Sequence, residues 1–194
     1  MAKLFRNKYR TTSHRKPEWD YSGNGMYFIT FVTQKRECNL GKIVNNEMTL
    51  FDFGRIVEKE WLQSFEIRAE LILDEWIIMP NHLHAIVILD KNRLHASMDV
   101  ATHGRASLHA SPQRLPKSIS SFMAGFKSAV NSKIDDYIDA NNLDIPKYNR
   151  NNHFWQPNYY DSIIQNNESY IRVRQYIKNN PKNWGKDELN GRNV

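Results

Sequence analysis

The sequence predicts an α+β domain with an antiparallel sheet, and three observations support that prediction. Apolar patterns with the periods of strands and helices follow one another in the order strand, helix, strand, strand, helix, strand, helix. The two middle strands are separated only by Pro80-Asn81, the short punctuation that is typical of an antiparallel pair. The length of 194 residues and the hydrophobic content of 40% fit one well-buried domain.

The first half of the chain contains three of the predicted strands and one helix. Residues 27–33 are rich in aromatic and β-branched side chains and follow a Gly-Asn-Gly turn, which predicts a buried strand. Apolar residues at helical spacing predict a helix from Asp52 to Ser64. Two further strands are predicted at residues 71–79 and 82–89.

The second half begins with a segment that has no clear period. Residues 91–117 are rich in Ala, Ser, His, Gly and Pro, so we predict a mobile surface insertion there. Helical spacing returns over about 119–138, and a loop at Phe154 leads into the last strand. The final helix is predicted over about 168–180, with Pro181 ending it. This order is the ferredoxin-like split βαβ plan with one extra C-terminal helix.

Composition excludes two classes of protein. No apolar stretch approaches the ~20 residues that span a bilayer, and no apolar core follows the basic N-terminus as in a secretory signal. The single cysteine, Cys38, cannot form an intramolecular disulfide and fits a reducing compartment. We therefore expect a cytoplasmic protein without a membrane partner.

The first 20 residues predict a basic N-terminal arm. The net charge of the chain is +6, and six cations precede the first acid, Glu18. These six cations are Lys3, Arg6, Lys8, Arg10, Arg15 and Lys16. A basic arm ahead of a neutral domain favours a polyanionic partner, because Lys and Arg release counterions from phosphates. A solvated terminal tail would have the same composition.

Two histidines, His82 and His84, lie at the start of the third predicted strand, residues 82–89. Side chains two residues apart on a strand point to the same face, so both imidazoles could share one metal ion or phosphate. Two polar residues at the start of a strand are the alternative interpretation, and a His-x-His pair alone has a high false-positive risk.

The last helix carries a polar strip beside its apolar stripe. Arg172, Tyr176 and Asn180 follow one another at four-residue intervals, so a guanidinium, a phenol and a carboxamide lie in line. An amphipathic helix whose border tyrosine packs its ring and hydrates its hydroxyl would give the same pattern.

Several motifs together carry a family resemblance across nearly the whole chain. They are Tyr27-Phe28-Ile29-Thr30, Met79-Pro80-Asn81-His82-Leu83-His84, Phe126-Lys127-Ser128, Phe154-Trp155-Gln156 followed by Tyr159-Tyr160, and Tyr176-Ile177-Lys178-Asn179-Asn180-Pro181. With these motifs the sequence resembles the HUH-superfamily transposases that have a single catalytic tyrosine. Within them it is similar to the branch associated with repetitive extragenic palindromes.

The resemblance implies a role for each matching residue. His82 and His84 match the histidines that hold a divalent metal, Mg²⁺ or Mn²⁺. Tyr176 matches the nucleophile, and Asn180 matches the polar residue that completes the metal site, where many relatives carry Gln. The resemblance implies one domain over residues 21–184, followed by a tail at 185–194. It also favours a monomer with the site in cis over a homodimer.

The implied activity is metal-dependent cleavage and strand transfer of single-stranded DNA through a 5′-phosphotyrosine intermediate. The implied substrate is hairpin, palindromic DNA, and the protein would be a nucleoid-associated transposase or a host-adopted relative. Single-stranded DNA binding needs cations along the backbone. We expect the N-terminal arm, Lys127 and Arg172 to supply them. Arg172 is also a candidate for favouring the ionised Tyr176 phenol.

Two other functions fit parts of the sequence. One is a binding-only protein for hairpin DNA, in which catalysis has lapsed. The other is an RNA-binding ferredoxin-like module, suggested by Tyr27, Phe28 and Phe31 in the first strand. Such a module gives no reason for the histidines, tyrosine and asparagine together. Tyr159 and Tyr160 are rival nucleophiles, but we expect them to pack or to face DNA.

Overall fold

The computed structural model describes residues 19–93 and 117–190. Within these ranges the strands are β1 (Gly25–Val32), β2 (Gly41–Val44), β3 (Glu47–Leu50), β4 (Leu71–Met79), β5 (His82–Leu89) and β6 (Tyr160–Ile163). The α-helices there are α1 (Asp52–Glu66), α2 (Ile119–Ala140) and α3 (Asn167–Asn183). Short 3-10 helices occupy Gln34–Arg36 and Trp184–Lys186.

The main sheet confirms the predicted ferredoxin-like plan. Its strand order is β4-β5-β1-β6, and every neighbouring pair is antiparallel. The histidine strand β5 is therefore central, paired with β1 on one side and β4 on the other. Helix α3 follows β6 and is the predicted additional element at the C-terminal end.

The alternation of side chains along β5 assigns each face of the sheet to different helices. Leu83, Ala85 and Val87 point into the main core, which is shared with α1 and α2. His82, His84 and Ile86 point to the opposite face, because they alternate with those core residues. On that face Ile86 packs with Ile177 of α3, so the helix covers the histidine side of the sheet.

A bulge in β4 helps to fix α3 over the sheet. The pairing register between β4 and β5 shifts between Leu73 and Trp76, which leaves one extra residue in the edge strand. Glu75, within this irregular stretch, contacts Arg174 at 3.1 Å and Lys178 at 3.2 Å. Because these ion pairs are partly exposed, they contribute little to the free energy of folding, and their main effect is to orient α3.

Two features of the fold differ from the sequence prediction. The hairpin β2–β3 was not predicted; its two-residue turn uses Asn45 and Asn46, both at positive φ, as a type I′ turn requires. Pro181 does not end the last helix, which continues to Asn183. Proline removes only one backbone donor there, and Pro181 is buried.

Some predicted segments lie outside the described residues. These are most of the N-terminal arm, with all six of its cations, and residues 94–116 of the predicted insertion. In the described part of the chain, no helix has both the length and the apolar character needed to cross a bilayer.

Candidate metal and nucleophile site

The structure brings the histidine strand and the tyrosine helix into direct contact. The Tyr176 hydroxyl lies 3.2 Å from Nε2 of His84, although 92 residues separate the two in sequence. The rings of His82 and His84 lie next to each other, with centroids 4.4 Å apart. Asn180, one turn beyond Tyr176, is 1% exposed on the same side of α3. The four residues matched to the family site therefore converge.

Thr30 on β1 orients His84. Its Oγ1 lies 2.7 Å from Nδ1 of His84, at the position directly opposite in the strand register. We assign Nδ1 as the protonated nitrogen that donates to this hydroxyl, because Nε2 then accepts from the phenol of Tyr176. The lone pair of Nε2 is thus directed toward α3.

Asn81 orients His82 in a similar way. The Asn81 amide nitrogen donates to the carbonyl oxygens of Arg36 at 3.0 Å and Leu189 at 2.7 Å, which identifies its other atom as the oxygen. That oxygen lies 2.8 Å from Nδ1 of His82, so Nδ1 is the protonated nitrogen. Nε2 of His82 therefore carries a lone pair, and it has no hydrogen-bond partner among the described residues.

Asn180 presents a second buried acceptor to the same space. Its Oδ1 has no hydrogen-bond partner within the ranges that the structure describes. The Asn180 side chain is close enough to His82 and Tyr176 to influence the pKa of both groups. Buried polar atoms without partners are rare and expensive, so two of them facing one space indicate a ligand site.

An acidic side chain that the sequence did not identify also enters this space. Oδ2 of Asp187 lies 3.9 Å from Nε2 of His82, and the side chain is 5% exposed. One ligand atom each from His82, His84 and Asp187 lies within 4.8 Å of the others. Asp187 belongs to the segment that the sequence assigned to a tail, so the described part of that segment reaches the site. No motif or fixed spacing pointed to it.

Burial sets the protonation states of the site. It lowers the pKa of His82 to about 3, and it lowers the pKa of His84 well below its ordinary value, with the neighbouring His82 adding to the effect. Both imidazoles are therefore neutral near pH 7, as metal coordination requires. Burial also raises the pKa of Tyr176, and the carboxylates of Asp187 and Glu188 raise it further. The phenol is protonated at neutral pH.

The neutral histidines make stability depend on pH. An unfolded histidine gains a proton below about pH 6.5, whereas folded His82 stays neutral down to about pH 3. The stabilising contribution of the neutral imidazole is therefore complete above about pH 6.5 and is lost progressively as the pH falls below that value. We expect the free energy of unfolding to fall by up to about 1.4 kcal/mol per pH unit for each buried histidine between about pH 6.5 and pH 5. Urea unfolding across this range measures it. Replacing the exposed His153 with alanine serves as the control and leaves the slope unchanged.

The cations expected to contact DNA occupy varied positions. The Lys127 ammonium donates to the backbone carbonyl oxygens of Gln156, Pro157 and Asn158, so it fastens the loop before β6. Arg172 is exposed and lies 4.0 Å from Glu168. Arg172 is not among the groups that shift the pKa of Tyr176, so the structure gives no support to its expected role in ionising the phenol.

A cavity of about 570 Å³ opens in front of the site. Its walls include Phe28, Tyr160, Tyr176 and two cations, Arg36 and Lys186. Sequence reasoning missed both cations, because they lie in short 3-10 helices far apart in sequence. The rival tyrosine Tyr160 is 45% exposed and begins strand β6.

Comparison with known proteins supports the predicted family resemblance. No protein-family model matches the chain. An uncharacterised protein of Haemophilus influenzae is 32% identical over 181 residues, which cover 91% of each chain. The solved structure of a REP-associated tyrosine transposase bound to a REP hairpin aligns with a TM-score of 0.52 and 17% identity, over 90% of this chain and 77% of that one. The chain therefore belongs to one family with the Haemophilus protein, and it has the fold of the REP-associated tyrosine transposases that its motifs resemble.

Proposed function

We propose that the protein is a metal-dependent tyrosine transposase, or a host-adopted relative, that cuts and rejoins single-stranded DNA next to a hairpin. The observation that carries this proposal is the contact between the Tyr176 hydroxyl and Nε2 of His84 at 3.2 Å, beside a second histidine and a buried carboxamide. The shared fold with a transposase bound to a hairpin supports the substrate class.

The residues present fit a divalent cation, which we propose to be Mg²⁺ or Mn²⁺. Nε2 of His82 and Oδ1 of Asn180 are buried acceptors without partners among the described residues, and a cation would satisfy both. His82, His84 and Asn180 would hold it. When bound, such a cation neutralises the charge of a phosphodiester and polarises its phosphorus, which lowers the barrier to attack by several kcal/mol.

Tyr176 would be the nucleophile. Its oxygen attacks phosphorus, the bond from phosphorus to the 3′-oxygen breaks, and the products are a 5′-phosphotyrosine and a free 3′-hydroxyl. The phenol loses one proton and the leaving oxygen gains one, so the step is balanced. The energy of the phosphodiester is retained in the phosphotyrosine, so a second 3′-hydroxyl can displace the phenol and rejoin DNA.

The arrangement supports a site in cis. His82, His84, Tyr176 and Asn180 meet within one chain, so the site needs no residue from a second copy, and a monomer is sufficient. Arg36 and Lys186 at the cavity would bind the DNA backbone together with the N-terminal arm. We place this activity on nucleoid DNA in the cytoplasm.

A strand-specific labelling experiment tests the proposal. The substrate is a pool of hairpin oligonucleotides with randomised flanks, selected for binding and then incubated with protein and Mn²⁺. A 3′ label is expected to travel with the protein through denaturing electrophoresis, whereas a 5′ label is released on a fragment with a 3′-hydroxyl. EDTA is expected to abolish both products. Binding without any adduct would indicate a binding-only protein, and selection of RNA over DNA hairpins would indicate an RNA-binding module.

Deleting residues 2–16 is expected to weaken hairpin binding, because six cations are lost with the arm. The slope of log K against log salt is expected to become shallower by about 0.7 to 0.9 for each phosphate contact that disappears. Fluorescence anisotropy at several salt concentrations measures both quantities. An unchanged slope would exclude the arm from DNA binding.

A further inference from the structure

We propose that Asp187 supplies a carboxylate ligand to the same metal ion, so that the segment following α3 completes the site. This proposal rests on the proposed function, because it concerns the cation that His82, His84 and Asn180 would hold. Nothing in the sequence motifs or in the family resemblance assigned a role to Asp187.

The distances are those of a nearly assembled metal site. Oδ2 of Asp187 lies 3.9 Å from Nε2 of His82, and His84 brings the third ligand atom within 4.8 Å of both. Ligands at about 2.1 Å from a cation lie about 3 Å apart when adjacent and about 4.2 Å apart when opposite, in octahedral geometry. A shift of less than about 1 Å by the side chains would bring the three atoms into this range.

The tautomer of His82 places two acceptor atoms opposite each other at this point. Nδ1 of His82 carries its proton, because it faces the oxygen of Asn81 at 2.8 Å. Nε2 of His82 therefore carries a lone pair 3.9 Å from Oδ2 of Asp187, and the two side chains are 0% and 5% exposed. Two acceptors that face each other in a space of low dielectric repel one another unless a cation lies between them.

The segment that carries Asp187 is fixed by hydrogen bonds on both sides. The backbone amide of Leu189 donates to Oδ1 of Asp187 at 2.7 Å, which turns Oδ2 toward His82. The carbonyl oxygen of Leu189 accepts from Asn81 at 2.7 Å, and that of Glu188 accepts from Arg36 at 2.8 Å. Asn81 thus orients His82 and holds the Asp187 segment at the same time. Such outer contacts position metal ligands in many proteins.

The charge of Asp187 is also consistent with a cation site. The carboxylate would repel the anionic phosphodiester that the phenol attacks. A bound divalent ion would offset this repulsion. Two neutral imidazoles, an amide oxygen and one carboxylate form a mixed nitrogen and oxygen set that suits Mn²⁺.

Metal titration of matched variants tests the proposal. The Asp187→Asn variant keeps the size of the side chain and an oxygen for the Leu189 amide but removes the charge. We expect it to weaken Mn²⁺ binding by about 10- to 100-fold in calorimetry and electron paramagnetic resonance. Glu188→Gln removes the neighbouring charge, which is exposed, and is expected to change Mn²⁺ affinity by less than about threefold.

The outcomes separate this proposal from the proposed function. If the wild-type protein binds Mn²⁺ and forms the adduct while Asp187→Asn binds Mn²⁺ with wild-type affinity, the ligand role is refuted and the proposed function stands. If Asp187→Asn has unchanged Mn²⁺ affinity and an increased adduct yield, the ligand role is also refuted, and Asp187 instead obstructs DNA. If the wild-type protein binds no divalent metal, both proposals fail. Hairpin binding in EDTA and the circular dichroism spectrum verify that each variant is folded.

Discussion

Replacing Tyr176 with phenylalanine is expected to abolish the covalent adduct and to lower DNA cleavage by about a thousandfold or more. The variant removes one oxygen and keeps the ring, which packs against Phe28 and His84 with centroids 6.0 and 5.1 Å away. Stability, Mn²⁺ affinity and hairpin binding should therefore remain close to those of the wild-type protein. Single-turnover cleavage of the labelled hairpin measures the loss.

Tyr160 provides the matched control for that experiment. It is 45% exposed, like Tyr176, and it lines the same cavity, but it lies on strand β6 and not on helix α3. Tyr160→Phe is expected to form the adduct. Cleavage at the wild-type rate by Tyr176→Phe, together with loss in Tyr160→Phe, would reassign the nucleophile to β6.

Replacing His84 with alanine is the second substitution with a large expected effect. His84 contacts Thr30 and Tyr176 and lies beside His82, so its loss would remove a proposed metal ligand and the hydrogen-bond partner of the phenol. We expect Mn²⁺ affinity to fall by at least about 100-fold. Cleavage should fall by about a thousandfold or more, because several kcal/mol of charge stabilisation are lost and each 1.36 kcal/mol corresponds to about tenfold in rate.

The exposed histidine His153 is the control for the His84 substitution. His153→Ala removes an imidazole at the surface and is expected to leave both Mn²⁺ affinity and cleavage unchanged. Wild-type Mn²⁺ affinity in His84→Ala would contradict the assignment of the metal ligands. Normal affinity with loss of cleavage would limit His84 to a role in positioning Tyr176.

The predictable parts of the fold are those where side chains repeat along the sequence with the period of a strand or a helix. The alternation along residues 82–89 placed both histidines on one face, and the structure confirms it through the packing of Ile86 and Leu83 on opposite sides. The four-residue spacing of Tyr176 and Asn180 likewise predicted a shared strip on the last helix. Their approach to the histidines could not be derived from either period and was expected only from the family resemblance.

The parts that were not predictable depend on contacts between distant residues. Asp187 has no periodic pattern around it, and it reaches His82 because hydrogen bonds from Asn81 and Arg36 hold the segment beyond α3. Only a tail was predicted for that segment from the sequence. Lys127 shows the opposite problem, since its charge favoured a DNA contact whereas its ammonium fastens a loop through three carbonyl oxygens.

Identifying the residue that becomes attached to DNA tests the central claim most directly. Trypsin is expected to release Tyr176 in the short peptide Gln175–Lys178, whereas Tyr159, Tyr160 and Tyr170 belong to the separate peptide Asn151–Arg172. Mass spectrometry of the nuclease-trimmed adduct should find the nucleotide phosphate on Gln175–Lys178. A nucleotide phosphate on Asn151–Arg172, or on any peptide without Tyr176, would contradict the proposed site.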